Sequence, residues 1–305
     1  MNKNTALALA IAGIIAAPAA SAEVYVSARI GVDYTTSDDD TKEKMEFGNL
    51  SSRLGWKGEN DLGNGMTSFG KLEVGNLDND AANGFNLRDL HVGLKGDFGK
   101  IIVGERVYTA FYNHVVGPVD QPYFATSIGL GKGGRTDRAI TYQGGSDMFS
   151  FEVTAMADGT DSTEPGGNSS SVTGFEAALS IGLGDNWTIA AGMSDAEDST
   201  VSNNQTAGGL SGATVHGNIG DIGLAASFQT DDDADGITLR AAFGNYWAEY
   251  SQVDVDATDL TPTQIAVGAE WSLGENTSIW AEASTLDSDG GVDSSRITTA
   301  LKVGF

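Results

Sequence analysis

Residues able to do acid–base or covalent chemistry are few in this chain and poorly spaced for it. The three histidines, His91, His114 and His216, lie outside any nucleophile motif. A hydrolase triad needs a histidine base oriented by an acid and facing a nucleophile. Cysteine is absent, which removes thiol catalysis and disulfides; without paired histidines either, it leaves no zinc-ligand spacing. The run Asp231-Asp232-Asp233-Ala234-Asp235-Gly236 opens like a calcium loop, but the twelfth position, which must supply a bidentate acid, is Ala242. Gly129-Leu130-Gly131-Lys132-Gly133-Gly134 is glycine-rich but leads into no helix, so it does not read as a phosphate cradle. The expectation is a protein with no catalytic residue, no metal and no cofactor. A formal net charge of −25 argues against nucleic acid as a partner, because affinity for phosphate backbones comes from cations. The acids gather at Asp38-Asp39-Asp40, Asp78-Asn79-Asp80 and Asp231-Asp232-Asp233. These read as solvated loops able to hold divalent cations loosely.

What the sequence carries in place of a reaction centre is a repeated alternation. At the C-terminus Ile297, Thr299, Leu301, Val303 and Phe305 share one strand face, and Arg296, Thr298, Ala300, Lys302 and Gly304 share the other. Val24, Val26, Ala28, Ile30 and Val32 oppose Tyr25, Ser27, Arg29, Gly31 and Asp33 in the same way. The N-terminus reads as an export signal: Lys3, an apolar run over 6–17, and the small-residue site Ala20-Ser21-Ala22. Residues 1–22 are therefore expected to be removed, leaving a mature chain of 23–305. The apolar run is too short to remain as an anchor, which needs roughly 20 residues. Glycine, at 41 residues against 5 prolines, suits many strands joined by tight turns.

The runs are separated alternately by short Gly/Asp/Asn turns, near 59–65, 96–100, 144–147, 182–186, 220–221, 244–245 and 274–277, and by longer polar loops. Aromatics fall near run ends: Tyr34, Trp56, Tyr142, Trp187, Trp271 and Phe305. Short turns on one side, long loops on the other and aromatic girdles are the marks of an outer-membrane barrel. The fold class expected is all-β, a transmembrane antiparallel β-barrel of about 16 strands with short periplasmic turns and long extracellular loops. Fourteen is the alternative, because the runs at 211–218 and 245–253 are weak. In the run 85–95, Arg88 shares a face with Leu90, Val92 and Leu94, so alternation does not say which face is the lumen. Residues 107–134 form a long aperiodic loop containing Tyr108, Phe111, Tyr112, Tyr123, Phe124, Pro118 and Pro122. Loops of that length are usually functional or disordered. This one has aromatic mass to pack, which points into the lumen as a constricting loop.

Two stretches carry a family resemblance. Leu50-Ser51-Ser52-Arg53-Leu54-Gly55-Trp56-Lys57-Gly58-Glu59-Asn60-Asp61-Leu62-Gly63-Asn64-Gly65 resembles a strand–turn signature of general Gram-negative porins. So does Arg88-Asp89-Leu90-His91-Val92-Gly93-Leu94-Lys95-Gly96-Asp97-Phe98-Gly99-Lys100, followed by Ile102-Val103-Gly104-Glu105-Arg106. Residues 25–29 and the terminal Val303-Gly304-Phe305 fit as well. The resemblance implies sixteen strands, a homotrimer and a third loop that narrows the pore. It also implies contact with outer-membrane lipid and lipopolysaccharide, and a terminal Phe305 read by the outer-membrane assembly machinery. By the same resemblance, the pore constriction would be Arg29, Arg53, Arg88 and Arg135 on the wall, Glu73 as an inward acid, and Asp120 on the loop. The function implied is passive diffusion of ions and small hydrophilic solutes across the outer membrane. The alternatives are a sugar-specific porin using Tyr108, Tyr112, Tyr123 and Phe124 as an aromatic track, or a secreted β-sandwich binding protein. A barrel enzyme is disfavoured by the missing base and nucleophile.

Overall fold

Strands whose two faces differ in polarity must put the apolar face against something apolar. A sheet that closes on itself does so with no exposed edge. The computed structural model describes residues 21–38, 43–75, 86–120, 134–136, 138–157, 172–196, 209–256 and 258–305. The expected signal segment up to residue 20 lies outside them, as do Asp39, Asp40, Asp78, Asn79, Asp80, Pro122, Tyr123, Phe124 and the glycine-rich stretch before Gly134.

The strands are β1 (Ser21–Ser37), β2 in two segments (Lys44–Asn49 and Arg53–Gly63), β3 (Met66–Gly75), β4 (Asn86–Gly96) and β5 (Gly99–Glu105). Then follow β6 (Ala139–Gly145), β7 (Phe149–Ala157), β8 (Val172–Leu183), β9 (Trp187–Ala196), β10 (Leu210–Ile219) and β11 (Ile222–Thr230). The last five are β12 (Ala234–Phe243), β13 (Tyr246–Val255), β14 (Thr263–Gly274), β15 (Thr277–Asp287) and β16 (Ser294–Gly304). Each pairs antiparallel with its neighbours in sequence. β1 closes the ring onto β16, in register from Ser27↔Gly304 to Ser37↔Ser294. Beyond that register, Val26 and Phe305 exchange two backbone hydrogen bonds of 3.1 Å. The result is a sixteen-stranded barrel, so the fourteen-strand and β-sandwich readings are both overturned.

β1 begins two residues ahead of the expected mature start, with Ser21 opposite Glu59 and Ala22 opposite Gly58. Cleavage after Ala22 would shorten β1 by two residues.

Burial is inverted relative to a soluble protein. Ile30, Val103, Ile140, Val153, Leu179, Val215, Ile265, Val267, Ile297 and Leu301 are exposed on the outer face. Thr141, Thr154, Ser194, Thr214, Ser227, Gln229, Thr238, Ser251 and Thr298 are buried on the inner one. That is the pattern of a barrel whose outside meets lipid and whose inside is polar. Near the short turns the outer face carries an aromatic band: Tyr142 packs on Phe151, Phe149 on Phe151, and Tyr246 edge-on to Trp271.

The two weak runs are full strands with physical reasons for looking weak. On β10 the inward positions include Leu210 and Gly212, apolar and small because the long loop packs on them rather than water. A Cβ at Gly212 would stand 3.0 Å from both Phe111 Cζ and Val115 Cγ1. On β13 the outward row ends in Gln252 and exposed Asp254 as the strand reaches the long-loop side.

The acidic run after β11 closes a tight hairpin. Asp231 Oδ1 accepts from the backbone N–H groups of Asp233 (2.9 Å) and Ala234 (2.8 Å), an Asx-type turn.

Candidate functional site: the narrowed lumen

Three neighbouring strands, β2, β3 and β4, turn their polar faces into the lumen and place charges at one level. Glu73 of β3 is the centre. It is 4% exposed, and a carboxylate so buried needs partners on both oxygens. Tyr25 Oη donates to Oε2 at 2.8 Å. Arg88 Nε donates to Oε1 at 3.1 Å. Arg53 Nη1 lies 3.9 Å from Oε1, and Lys71 Nζ 3.6 Å from Oε2. Lys71 also donates to Asp89 Oδ2 at 3.0 Å, and Asp89 Oδ1 is 2.6 Å from His91 Nδ1.

Arg88 reaches this cluster by breaking the alternation. Glu73 pairs with Asp89 but Val74 pairs with Leu87, so Arg88 is the extra residue of a β-bulge. The bulge lets Arg88 join Asp89 and His91 inside while Val92 and Leu94 stay exposed outside. Gly75 makes the room: a Cβ there would stand 2.3 Å from Arg88 Cδ. This settles the ambiguity of the run 85–95.

Arg135 comes from outside the barrel strands. It pairs with Tyr108 in a two-residue ribbon, Val107–Tyr108 against Arg135–Thr136, rather than starting β6. Its Nη1 donates to the carbonyl oxygens of Arg88 and, at 3.2 Å, of Arg106. Its guanidinium sits 4.0 Å from the centre of the Tyr108 ring. Tyr108 stacks on Tyr112 at 4.6 Å with 12° between planes, and Tyr112 Oη donates to Asp120 Oδ2 at 2.8 Å. Burial, with Asp120 beside it, pushes the Tyr112 hydroxyl well up, so it remains a protonated donor. Asp120 is thus joined to the wall arginines through two stacked rings. Arg29 is buried on the inner face of β1. Its Nε donates to Ser27 Oγ at 3.3 Å, along its own strand rather than toward Glu73.

The described part of the long loop is fastened across the lumen to the opposite wall. It forms a short π-helix, Tyr112–Val116, whose Val115 and Val116 pack with Phe111 and Leu210. Polar ties run strand by strand. Asn113 Nδ2 donates to Glu152 of β7 at 3.0 Å, and the Phe111 N–H to Glu176 Oε2 of β8 at 2.8 Å. Thr214 Oγ1 of β10 donates to the Val115 carbonyl at 2.5 Å, and Arg240 Nη1 of β12 to the Pro118 carbonyl at 3.0 Å. His114 Nδ1 lies 2.6 Å from Ser180 Oγ, with Nε2 3.7 Å from Glu152. That order mimics a hydrolytic triad, but 3.7 Å is beyond hydrogen-bond reach. Glu152 already accepts from Asn113 and Gln143.

Sequence reasoning missed Glu152, Glu176 and Arg240. Two signals were there. Each lies on the polar side of its strand's alternation, and Arg240 is the sole cation between 139 and 295. With Glu249 and Glu282 also buried on the inner face, the lumen has a cation-rich side at β1–β4 and an acidic side at β7–β15. A solute passing between them crosses a transverse field in confined water.

A description of Gram-negative porins matches residues 5–291 of the chain. The chain is similar to the major outer membrane protein P.IB of Neisseria gonorrhoeae, with 32% identity over 109 residues, covering 33% of this chain and 31% of the relative. The chain therefore aligns with about a third of that relative's length. Among solved structures it is similar to an anion-selective porin from Comamonas acidovorans, with TM-score 0.72, 19% identity, and coverage of 94% of this chain and 100% of that one. It is also similar to in-vitro folded OmpT of Vibrio cholerae in its trimer form, with TM-score 0.66, 16% identity, and coverage of 93% and 100%.

Proposed function

The chain belongs to the Gram-negative porin family, and from that premise we propose that it is a passive, water-filled channel for ions and small hydrophilic solutes across the outer membrane where it resides. The observation that carries this is the inverted barrel. Its apolar residues face out, its polar and charged residues face in, and a loop is tied across the lumen by four strands of the opposite wall. Width and fixed charge at that level then set what passes. No chemical step is needed, and the family's members are channels rather than enzymes.

In this reading Arg53, Arg88 and Arg135, with Glu73 between them and Asp120 on the loop, line the constriction formed by residues 107–134. Arg29 flanks it. The protein works as a homotrimer, supported by the trimeric form of one structural neighbour. Its outer face meets lipid and lipopolysaccharide, and Phe305, 76% exposed at the barrel's lower edge, is the residue the assembly machinery reads. The sugar-track alternative is weakened at two of its four aromatics: the Tyr108 ring is engaged by Arg135 and by Tyr112, and Tyr112 is stacked and hydrogen-bonded. Liposome swelling with a graded series of neutral solutes tests the proposal. Rates should fall steeply with solute size, and equal rates with protein-free liposomes would refute a diffusion pore.

A further inference from the structure

Toward the short-turn end the lumen opens into a cavity of about 610 Å³, lined by the inner faces of β1 and β12 to β16. Ligand-sized pockets fall in this range, roughly 300–1,000 Å³. Its one partly exposed indole is Trp247 of β13. Trp247 lies directly opposite Gly268 of β14. The indole atoms Cζ2, Cε2 and Nε1 stand 2.4, 2.6 and 2.8 Å from where a Cβ of residue 268 would be. The indole therefore fills the space a side chain at 268 would occupy, and it also lines the cavity. Trp280 also borders the space but is spent in packing, buried with Leu50 and Ala300.

The cavity lining carries Arg240 and Lys302 against Glu270 and Glu275, so its formal charges cancel. Glu270 Oε1 accepts from Ser278 Oγ at 2.5 Å and lies 3.5 Å from Lys302 Nζ. Arg240 stands directly across from Glu249 and donates to the Pro118 carbonyl. Asn245 and Asn276 add amides at the rim. A small organic anion or cation would find no net opposite charge here. A purely apolar solute would leave the polar rim without partners, which is costly. A neutral solute with one apolar face and hydroxyls around its edge satisfies both features: its C–H face covers the indole, and its hydroxyls meet paired donors and acceptors.

We propose that this vestibule is a binding station for a neutral mono- or disaccharide, with Trp247 as the stacking platform. The inference rests on the reading of the barrel as an open channel, and the test separates the two. Single channels in a planar bilayer are recorded first in potassium chloride alone, then with maltose added to either side. A channel that fails to conduct in salt alone refutes the pore, and the station with it. A conducting channel should show concentration-dependent current interruptions with maltose, stronger from one side. Trp247→Ala should raise the half-blocking concentration roughly tenfold relative to each channel's own current in salt. Gly268→Ala, which displaces the indole without removing it, should weaken blocking in the same direction. The station is overturned by open, quiet channels in maltose, by blocking unchanged in both variants, or by blocking by benzoate and not by maltose.

Discussion

Removing two of the wall cations should shift the channel's ion preference toward cations by a calculable amount. Arg53 and Arg88 share Glu73, at 3.9 and 3.1 Å. Replacing both with glutamine leaves that carboxylate held by Tyr25 and Lys71, so the barrel should fold while the local charge changes by two. For a permeant ion about 7 Å from each guanidinium in water-like dielectric, each charge contributes about 0.6 kcal/mol, and screening at 0.1 M salt roughly halves it. The two charges act on cation and anion with opposite sign, so the cation-to-anion permeability ratio should rise by about 1.2 kcal/mol, or roughly sevenfold. At 1 M salt, where the screening length is about 3 Å, the change should shrink to less than about twofold. The assay is reversal potential in a planar bilayer under a potassium chloride gradient, at both mean salt concentrations. The unaltered channel should show a mild cation preference in dilute salt, from the acidic loops at the mouth, that weakens or reverses as salt rises. A double variant that assembles normally and leaves reversal potential unmoved would refute the placement of the constriction at Arg53, Glu73 and Arg88.

Replacing Glu176 with leucine leaves the buried Phe111 N–H without its acceptor, a loss of about 1–3 kcal/mol; open-channel current should become noisier as the loop loosens, and unchanged noise would argue that the apolar contacts alone hold it. Deleting residues 118–124 should raise conductance and admit larger solutes; an intact barrel with unchanged conductance would place the loop away from the narrow point. Deleting Phe305 removes only the two backbone bonds to Val26 from the closure, so the barrel register survives while the terminal aromatic does not. Poor outer-membrane insertion with periplasmic accumulation is expected, and normal amounts of heat-modifiable trimer would sink that role for Phe305.

The barrel was legible because its rule is local. A face repeat of two residues fixes inside and outside wherever both faces keep their chemistry, as in β1, β14 and β16. It failed where something other than water or lipid meets a strand. Arg88 sits in a bulge that alternation alone does not reveal, since a bulge depends on pairing with β3 rather than on β4's own residues. On β10, Leu210 and Gly212 face a docked loop, so their polarity resembles neither environment. Arg53 and Arg88 stand in strand–turn motifs, so the resemblance pointed to them. Glu152, Glu176 and Arg240 stand in none, and their importance comes from contacts with a loop far away in sequence. Arg135 lies outside both motifs, and its ring contact and carbonyl acceptors hold it in a separate ribbon rather than on a barrel strand.

The central claim is that the inverted barrel encloses a continuous water path narrowed by its own loop. Single-channel conductance of detergent-extracted protein, measured across a wide range of potassium chloride concentrations, tests it most directly. A water-filled pore should give steady, ohmic openings whose conductance follows the conductivity of the bathing salt. Absence of openings from fully folded protein, or a conductance that saturates at low salt as for a tight single-ion site, would contradict it.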